Sequence, residues 1–322
     1  MIRAVAFFLS LAFAASFSLP VHAQQCPTKP IKLIHGFVPG GNVDITARVV
    51  GQPMSEILGQ PVIVEGRPGA GGTVAANVVA RSDPDGYTLF MMASGHSVSP
   101  GLYASLPYDP VNDFTMISLA AQFPFVIAVA PNHPAKNLGE LLQMAKAKQG
   151  DVTLAHAGVG TGMHLATVLL QSRTGTEFTL VPYKGGNLAP MSVAQGETQV
   201  VFDTPAGMST LIQSGKLRPL AVSSASRWKN WPDVPTVGET VPGFDVRGWM
   251  ALAGPKNLPQ PVVERLHKAM HQALARQDVG ERFAQMGTGV APSEPNETQA
   301  FLASEIERWK KVVKDADIKP QS

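Results

Sequence analysis

The sequence predicts an α/β protein built from two doubly wound halves, and three observations lead to that class. Short apolar runs alternate with stretches of helical period along most of the chain. The joints between them are short and rich in glycine and proline, as strand–helix–strand units with right-handed crossovers require. The alternation also occurs twice, on either side of a long extended stretch at 123–129. Charged residues make up 16% and apolar residues 44% of the chain, a balance suited to buried parallel sheet.

Taken in order, 31–37 reads as a strand and 42–58 as an amphipathic helix. A second strand spans 61–65, a glycine-rich joint 68–72 and an Ala/Val-rich helix 73–80. Asp83-Pro84-Asp85-Gly86 is a turn, because proline presets φ and glycine supplies a positive one. The third strand is 87–93, and 107–114 reads as a loop before the strand at 123–129. The second alternation places helices at 138–148, 163–173, 188–195 and 208–214, with strands at 152–155, 179–182, 198–202 and 220–222. A proline-rich irregular stretch, 228–242, precedes an extended one at 244–252. Two amphipathic helices, 261–276 and 298–315, end the chain.

The first residues set the compartment. Met1-Ile2-Arg3 is a short basic start, 4–19 is nearly all apolar, and Val21-His22-Ala23 has the small-x-small form of a cleavage site. That order predicts a signal peptide over 1–23, since the apolar run is too short for a membrane span. The chain is expected to be exported. Cys26 is the one cysteine, so no internal disulfide can form, and no small residue precedes it as a lipid-anchoring signal would need. Net charge is +2 with Lys and Arg scattered, which argues against a nucleic-acid partner.

Two glycine-rich strand-to-helix turns stand out. The first, Gly36 to Arg48, contains Pro39-Gly40-Gly41-Asn42 and no nucleophile, lysine or metal-ligand cluster. The second is Ala157-Gly158-Val159-Gly160-Thr161-Gly162-Met163-His164. Met163 stands where a dinucleotide fingerprint needs its third glycine, and neither this turn nor Gly69 to Gly72 continues into Gly-Lys-Ser/Thr. No nucleotide cofactor is expected, nor any metal. Such turns still expose unpaired N–H groups at the positive end of a helix, which hold anions without a cationic side chain. Glycine lets the backbone approach the ligand closely. Two turns from two halves could grip a small acid between them; each alone could equally be a helix start needing room.

Single residues carry the same alternatives. His164, in the first turn of the second helix, could donate to a ligand carboxylate or simply pack. His96, in Ser94-Gly95-His96-Ser97, falls at the strand-end crevice where open α/β sheets bind ligands. Asp44 could face ligand or serve the helix dipole, and Asp203 could face ligand or tie down its loop. Catalysis finds no support: there is no G-x-S-x-G elbow and no H-E-x-x-H, and Ser226 to Lys229 matches S-x-x-K without its companion motifs. An exported hydrolase would need a nucleophile and base converging on the cleft.

Pro39-Gly40-Gly41-x-x-Asp44-x-x-Ala47-Arg48 resembles the signature of the Bug-type receptors, the substrate-binding proteins of tripartite tricarboxylate transporters. So do Gly69-Ala70-Gly71-Gly72, Asp85-Gly86-Tyr87-Thr88-Leu89, and Asp109-Pro110 with Asp113-Phe114. In the second half the resemblance continues through Gly160-Thr161-Gly162 with His164-Leu165-Ala166, Val181 to Gly185, Gly215 to Val222, and Pro235-Thr236. The resemblance implies a Venus-flytrap protein of periplasmic-binding type: two α/β domains, two crossover strands, and C-terminal helices returning to the first domain. Domain one would then comprise 24–125 and 249–322, and domain two 126–248. It further implies a monomer that binds a small organic carboxylate and hands it to a membrane permease. The alternative is a receptor that signals to a membrane partner. Carried onto this chain, the site would comprise Phe37, Pro39, Gly40, Gly41 and Asn42 facing Gly158, Gly160, Thr161 and His164, with Ser94, His96 and Asp203 nearby. Asn42 replaces the serine common in relatives, and Gly186 replaces a hydroxyl or other small side chain. The ligand therefore stays open among aliphatic di- and tricarboxylates, acidic amino acids and aromatic acids.

Overall fold

The computed structural model describes residues 27–315 apart from Gly186, together with Ile318. The expected signal peptide, Cys26 and Gly186 lie outside the described residues.

The first unit begins as β1 (Ile31–His35), α1 (Asn42–Leu58), β2 (Val62–Gly66), α2 (Thr73–Ala80) and β3 (Thr88–Ala93), with β2, β1 and β3 parallel. Strand β1 is apolar on both faces because helices cover both. Leu33 packs among Val43, Ala47 and Val50 of α1. Ile34 packs on the other side among Ala75, Ala76 and Val79 of α2. The buried stripe of α1 runs Val43, Ala47, Val50, Met54, Leu58, steps of three and four that keep one face to the sheet. Gly59 closes that helix at φ +73, its N–H on the Ser55 carbonyl at 3.0 Å.

From β3 the chain forms α3 (Gly95–Leu102), then β4 (Phe114–Pro124) and β5 (Val126–Val129). The second unit continues as α4 (Leu138–Ala147), β6 (Thr153–His156), α5 (Gly162–Thr174), β7 (Thr179–Pro182), α6 (Leu188–Ala194), β8 (Val200–Asp203), α7 (Pro205–Gln213) and β9 (Arg218–Val222). Strand β10 (Arg247–Pro255) returns to the first sheet, followed by α8 (Gln260–Leu274), α9 (Gln277–Gln285), β11 (Gly289–Val290) and α10 (Pro295–Asp315). The first sheet is ordered β11-β4-β10-β3-β1-β2 and the second β7-β6-β8-β5-β9. Helix α8 lies against α1 and β4, and α10 against α3 and β4.

The chain passes between the sheets at Phe125 and again between β9 and β10. Ser223 ties both passages together. Its Oγ accepts from Phe125 N–H at 2.8 Å and donates to the Val246 carbonyl at 2.5 Å. Its N–H donates to Phe125 at 2.9 Å, and its carbonyl accepts from Val246 at 2.8 Å.

Several expectations need correction. Both sheets are mixed rather than parallel: β10 runs antiparallel to β3 and β4, and β5 antiparallel to β8 and β9. The strands that carry the chain between units enter each sheet from the opposite direction to its β–α–β strands. The extended stretch at 123–129 is two strands broken at Phe125, and β4 starts where a loop was expected to end. The helices α3 and α9 were not foreseen. Gly95 and Pro100 inside α3 carry low helix propensity, so burial against α10 sustains it.

Candidate functional site

The strand ends of the two sheets face a shared cavity. Phe37, Gly41, Asn42 and Val43 from the start of α1 line one side, with Ala93, Ser94 and Gly95 from the end of β3. Ala157, Thr161, Gly162 and Met163 from the start of α5 line the other, with Gly185, Asp203 and Thr204. Phe123, Phe125 and Met250, from the strands passing between the units, complete it. Among the described residues no lysine or arginine contributes to this lining.

Two helix N-termini therefore open on one space. Gly41 is the N-cap of α1, and with no side chain to offer it leaves the first-turn N–H groups without a side-chain partner. Thr161 caps α5, accepting from His164 N–H at 3.3 Å and donating to the Gly158 carbonyl at 2.7 Å. The units meet across glycines beside the cavity. A Cβ on Gly71 would stand 3.0 Å from the Gly160 carbonyl oxygen, and one on Gly95 would stand 3.0 Å from the same atom. Gly160 itself has φ +80, a conformation L side chains rarely adopt.

Polar satisfaction in this lining is incomplete. Both side-chain amide atoms of Asn42 are shielded from solvent and have no hydrogen-bond partner among the described residues. Asp203, 2% exposed at the end of β8, has Oδ1 on Thr204 N–H at 2.6 Å and, among the described residues, no partner for Oδ2. Burial pushes its carboxyl up to about 7 despite the Thr204 hydrogen bonds. Buried polar groups left unpaired cost stability, and a cleft is where that cost is recovered on binding.

The structure thus brings Phe37, Gly41, Asn42, Ser94, Thr161 and Asp203 to one cavity. It does not bring the other expected residues there. Asp44 is turned inward: its carboxylate accepts from Arg48 twice at 3.0 Å, from Gly40 N–H at 3.0 Å and from His35 at 3.1 Å. Burial alone would raise that carboxyl, but the Arg48 guanidinium with Gly40 and His35 holds it below the usual range. Asp44 serves to fasten the Pro39–Gly40 turn to α1. His96 likewise points away, its Nε2 2.9 Å from the Pro110 carbonyl and its ring stacked on Tyr108 at 5.6 Å. Burial pushes it down to about 4, so it is neutral and its Nε2–H donates to Pro110. Each residue advances a helix by about 100°, so His96 faces the core while Ser94 faces the cavity.

His164 packs against His156, ring centroids 5.0 Å apart and planes tilted by 31°, rather than lining the cavity. Its Nδ1 is buried without a partner. Gly158 borders a neighbouring opening with Val38, Tyr183 and Lys184, and Gly160 forms the contact between units. Pro39 and Gly40 shape the turn, Gly40 at φ +76. Sequence reasoning missed Phe123, Phe125 and Met250, whose only signal is that they lie in long apolar stretches.

Comparison with known proteins follows the same geometry. The family described as "Tripartite tricarboxylate transporter family receptor" matches residues 46–318. The solved structure of the periplasmic binding protein BugD is 33% identical, with TM-score 0.86, covering 92% of this chain and 100% of its own. Rpa4515 of R. palustris, solved with adipate, is 30% identical with TM-score 0.87 and the same coverages, 92% and 100%. MatC of Rhodopseudomonas palustris, solved with malate, is 31% identical with TM-score 0.84, covering 89% of this chain and 99% of its own.

Proposed function

The chain belongs to the tripartite tricarboxylate transporter receptor family, and from that premise we propose that it captures a small organic carboxylate in the cavity between its sheets and delivers it to a membrane permease. The observation that carries this reading is the convergence of two helix N-termini on a cavity lined by no cationic side chain. An anion there is held by first-turn N–H groups and the positive ends of two helix dipoles. Phe37, Phe123, Phe125, Met163 and Met250 cover the carbon skeleton. Asn42 and Asp203 supply the polar contacts that discriminate between acids, because both hold atoms with no other partner. Burial raises the Asp203 carboxyl to about 7, so it can hold a proton where an exposed aspartate would not. It either donates to a ligand carboxyl group or accepts from a ligand hydroxyl.

The ligands of two structural relatives, adipate and malate, share two carboxylates on a short aliphatic chain. A compact dicarboxylate is accordingly the ligand class we assign to this cavity. Binding contacts from both units require them to be close, so the ligand favours the closed arrangement by its differential affinity.

Calorimetric titration of the tag-free protein with a panel of mono-, di- and tricarboxylates, malate and adipate included, tests the reading. Saturable binding of at least one dicarboxylate is expected, and Asn42→Ala weakens it about tenfold, the value of one hydrogen bond. Failure of every acid in the panel to bind would overturn the proposal.

A further inference from the structure

A second group of chemically active side chains lies among the C-terminal elements, outside the cavity lining. His267 and His271 are four residues apart on α8, one helical turn, and their ring centroids are 4.0 Å apart with planes inclined at 44°. Glu294, the residue before α10, brings Oε2 to 3.6 Å from His267 Nε2. One ligand atom from each of the three lies within 4.8 Å of the other two.

The local chemistry leaves these groups poorly partnered. His267 Nε2 is shielded from solvent and makes no hydrogen bond to any described residue. His271 Nε2 has two long contacts, 3.4 Å to Ser118 Oγ and 3.3 Å to the Ser293 carbonyl.

We propose that His267, His271 and Glu294 form a three-ligand site for a divalent transition metal of the zinc type. Two imidazoles and one carboxylate are the donor set that selects such an ion over Ca2+ or Mg2+, which take oxygen ligands. Ligand bonds of about 2.1 Å at tetrahedral angles put ligand atoms about 3.4 Å apart. The separation of 3.6 Å between His267 and Glu294 already approaches that edge. The Glu294 side chain is 64% exposed, so it can rotate to close the remaining distance and leaves the fourth position to water. The ion fastens α8 to the start of α10, both of which pack on β4.

Calorimetric titration of the tag-free, EDTA-treated protein with Zn2+ decides it. One saturable site is expected, with His267→Gln and His271→Gln each weakening it about 100-fold or more and Glu294→Gln about tenfold. Zn2+ also raises the melting temperature of the parent protein and leaves that of the two histidine variants unchanged. Glu294→Gln, at an exposed position, keeps the comparison open should a histidine variant fold poorly. The proposal is overturned if the parent binds no Zn2+ at single stoichiometry, or if all three variants bind it as tightly as the parent.

Discussion

Asp203 sits at the end of β8 with one oxygen on the Thr204 N–H and the other facing the cavity without a partner. Its carboxyl is raised from 3.8 to about 7 in the folded protein. Between those values the folded state binds the proton and the unfolded state does not. Stability is therefore lost as pH rises through this window, by an amount on the order of 4 kcal/mol. The buried histidines His96 and His156, lowered to about 4, act oppositely between about 4 and 6.5, because the unfolded chain protonates first. Comparison with Asp203→Asn isolates the carboxylate. Denaturant unfolding at a series of pH values is expected to show the variant gaining on the parent from pH 4 to pH 7. A constant difference across that range would refute a proton-holding Asp203. His96 and Asp44 show what residue-level reading of sequence misses. Both stand at the expected strand end or helix start, but packing turned one onto Tyr108 and Pro110 and the other onto Arg48 and His35.

The helix starts at Asn42 and Gly162 were readable because glycine-rich turns after apolar runs have few other uses. What the turns touch was not readable. Gly69 to Gly72 looked like a plain joint, yet Gly71 and Gly95 lie against the backbone of Gly160 from the other unit. Gly95 has no positive φ among the glycines that do, so a side chain there tests the contact without adding backbone strain. Gly95→Val would place Cβ 3.0 Å from the Gly160 oxygen and 3.2 Å from that of Gly71. The expected outcome is a tenfold or greater loss of affinity for the bound acid, about 1.4 kcal/mol or more, measured by calorimetry. Equal affinity in variant and parent would show that closure does not need this approach.

At the scale of the molecule, two passages of chain join the units, at Phe125 and near Val246, and Ser223 hydrogen-bonds to both. The closure proposed above would concentrate its rotation there, because the neighbouring strands are locked into their sheets. Small-angle scattering should report a smaller radius of gyration when a bound dicarboxylate saturates the protein. Identical curves with and without a tightly bound acid would rule out ligand-driven closure.

The sequence by itself determined the α/β class, most of the strand and helix positions, the two glycine-rich helix starts and the likeness to a carboxylate receptor family. The likeness rests on motifs matched along the chain; the rest depend on periodicity, turn chemistry and local spacing, all of which act over a few residues. Tertiary structure alone decided that the sheets are mixed, that Phe123, Phe125 and Met250 wall the cavity, and that Asp44 and His96 face inward. It also set Glu294 beside His267 and His271, a meeting that the His-x-x-x-His spacing cannot announce. The physical reason is common to these cases. Where a side chain points, and what it meets across tens or hundreds of residues, is chosen by packing the units as wholes, which no short window of sequence contains.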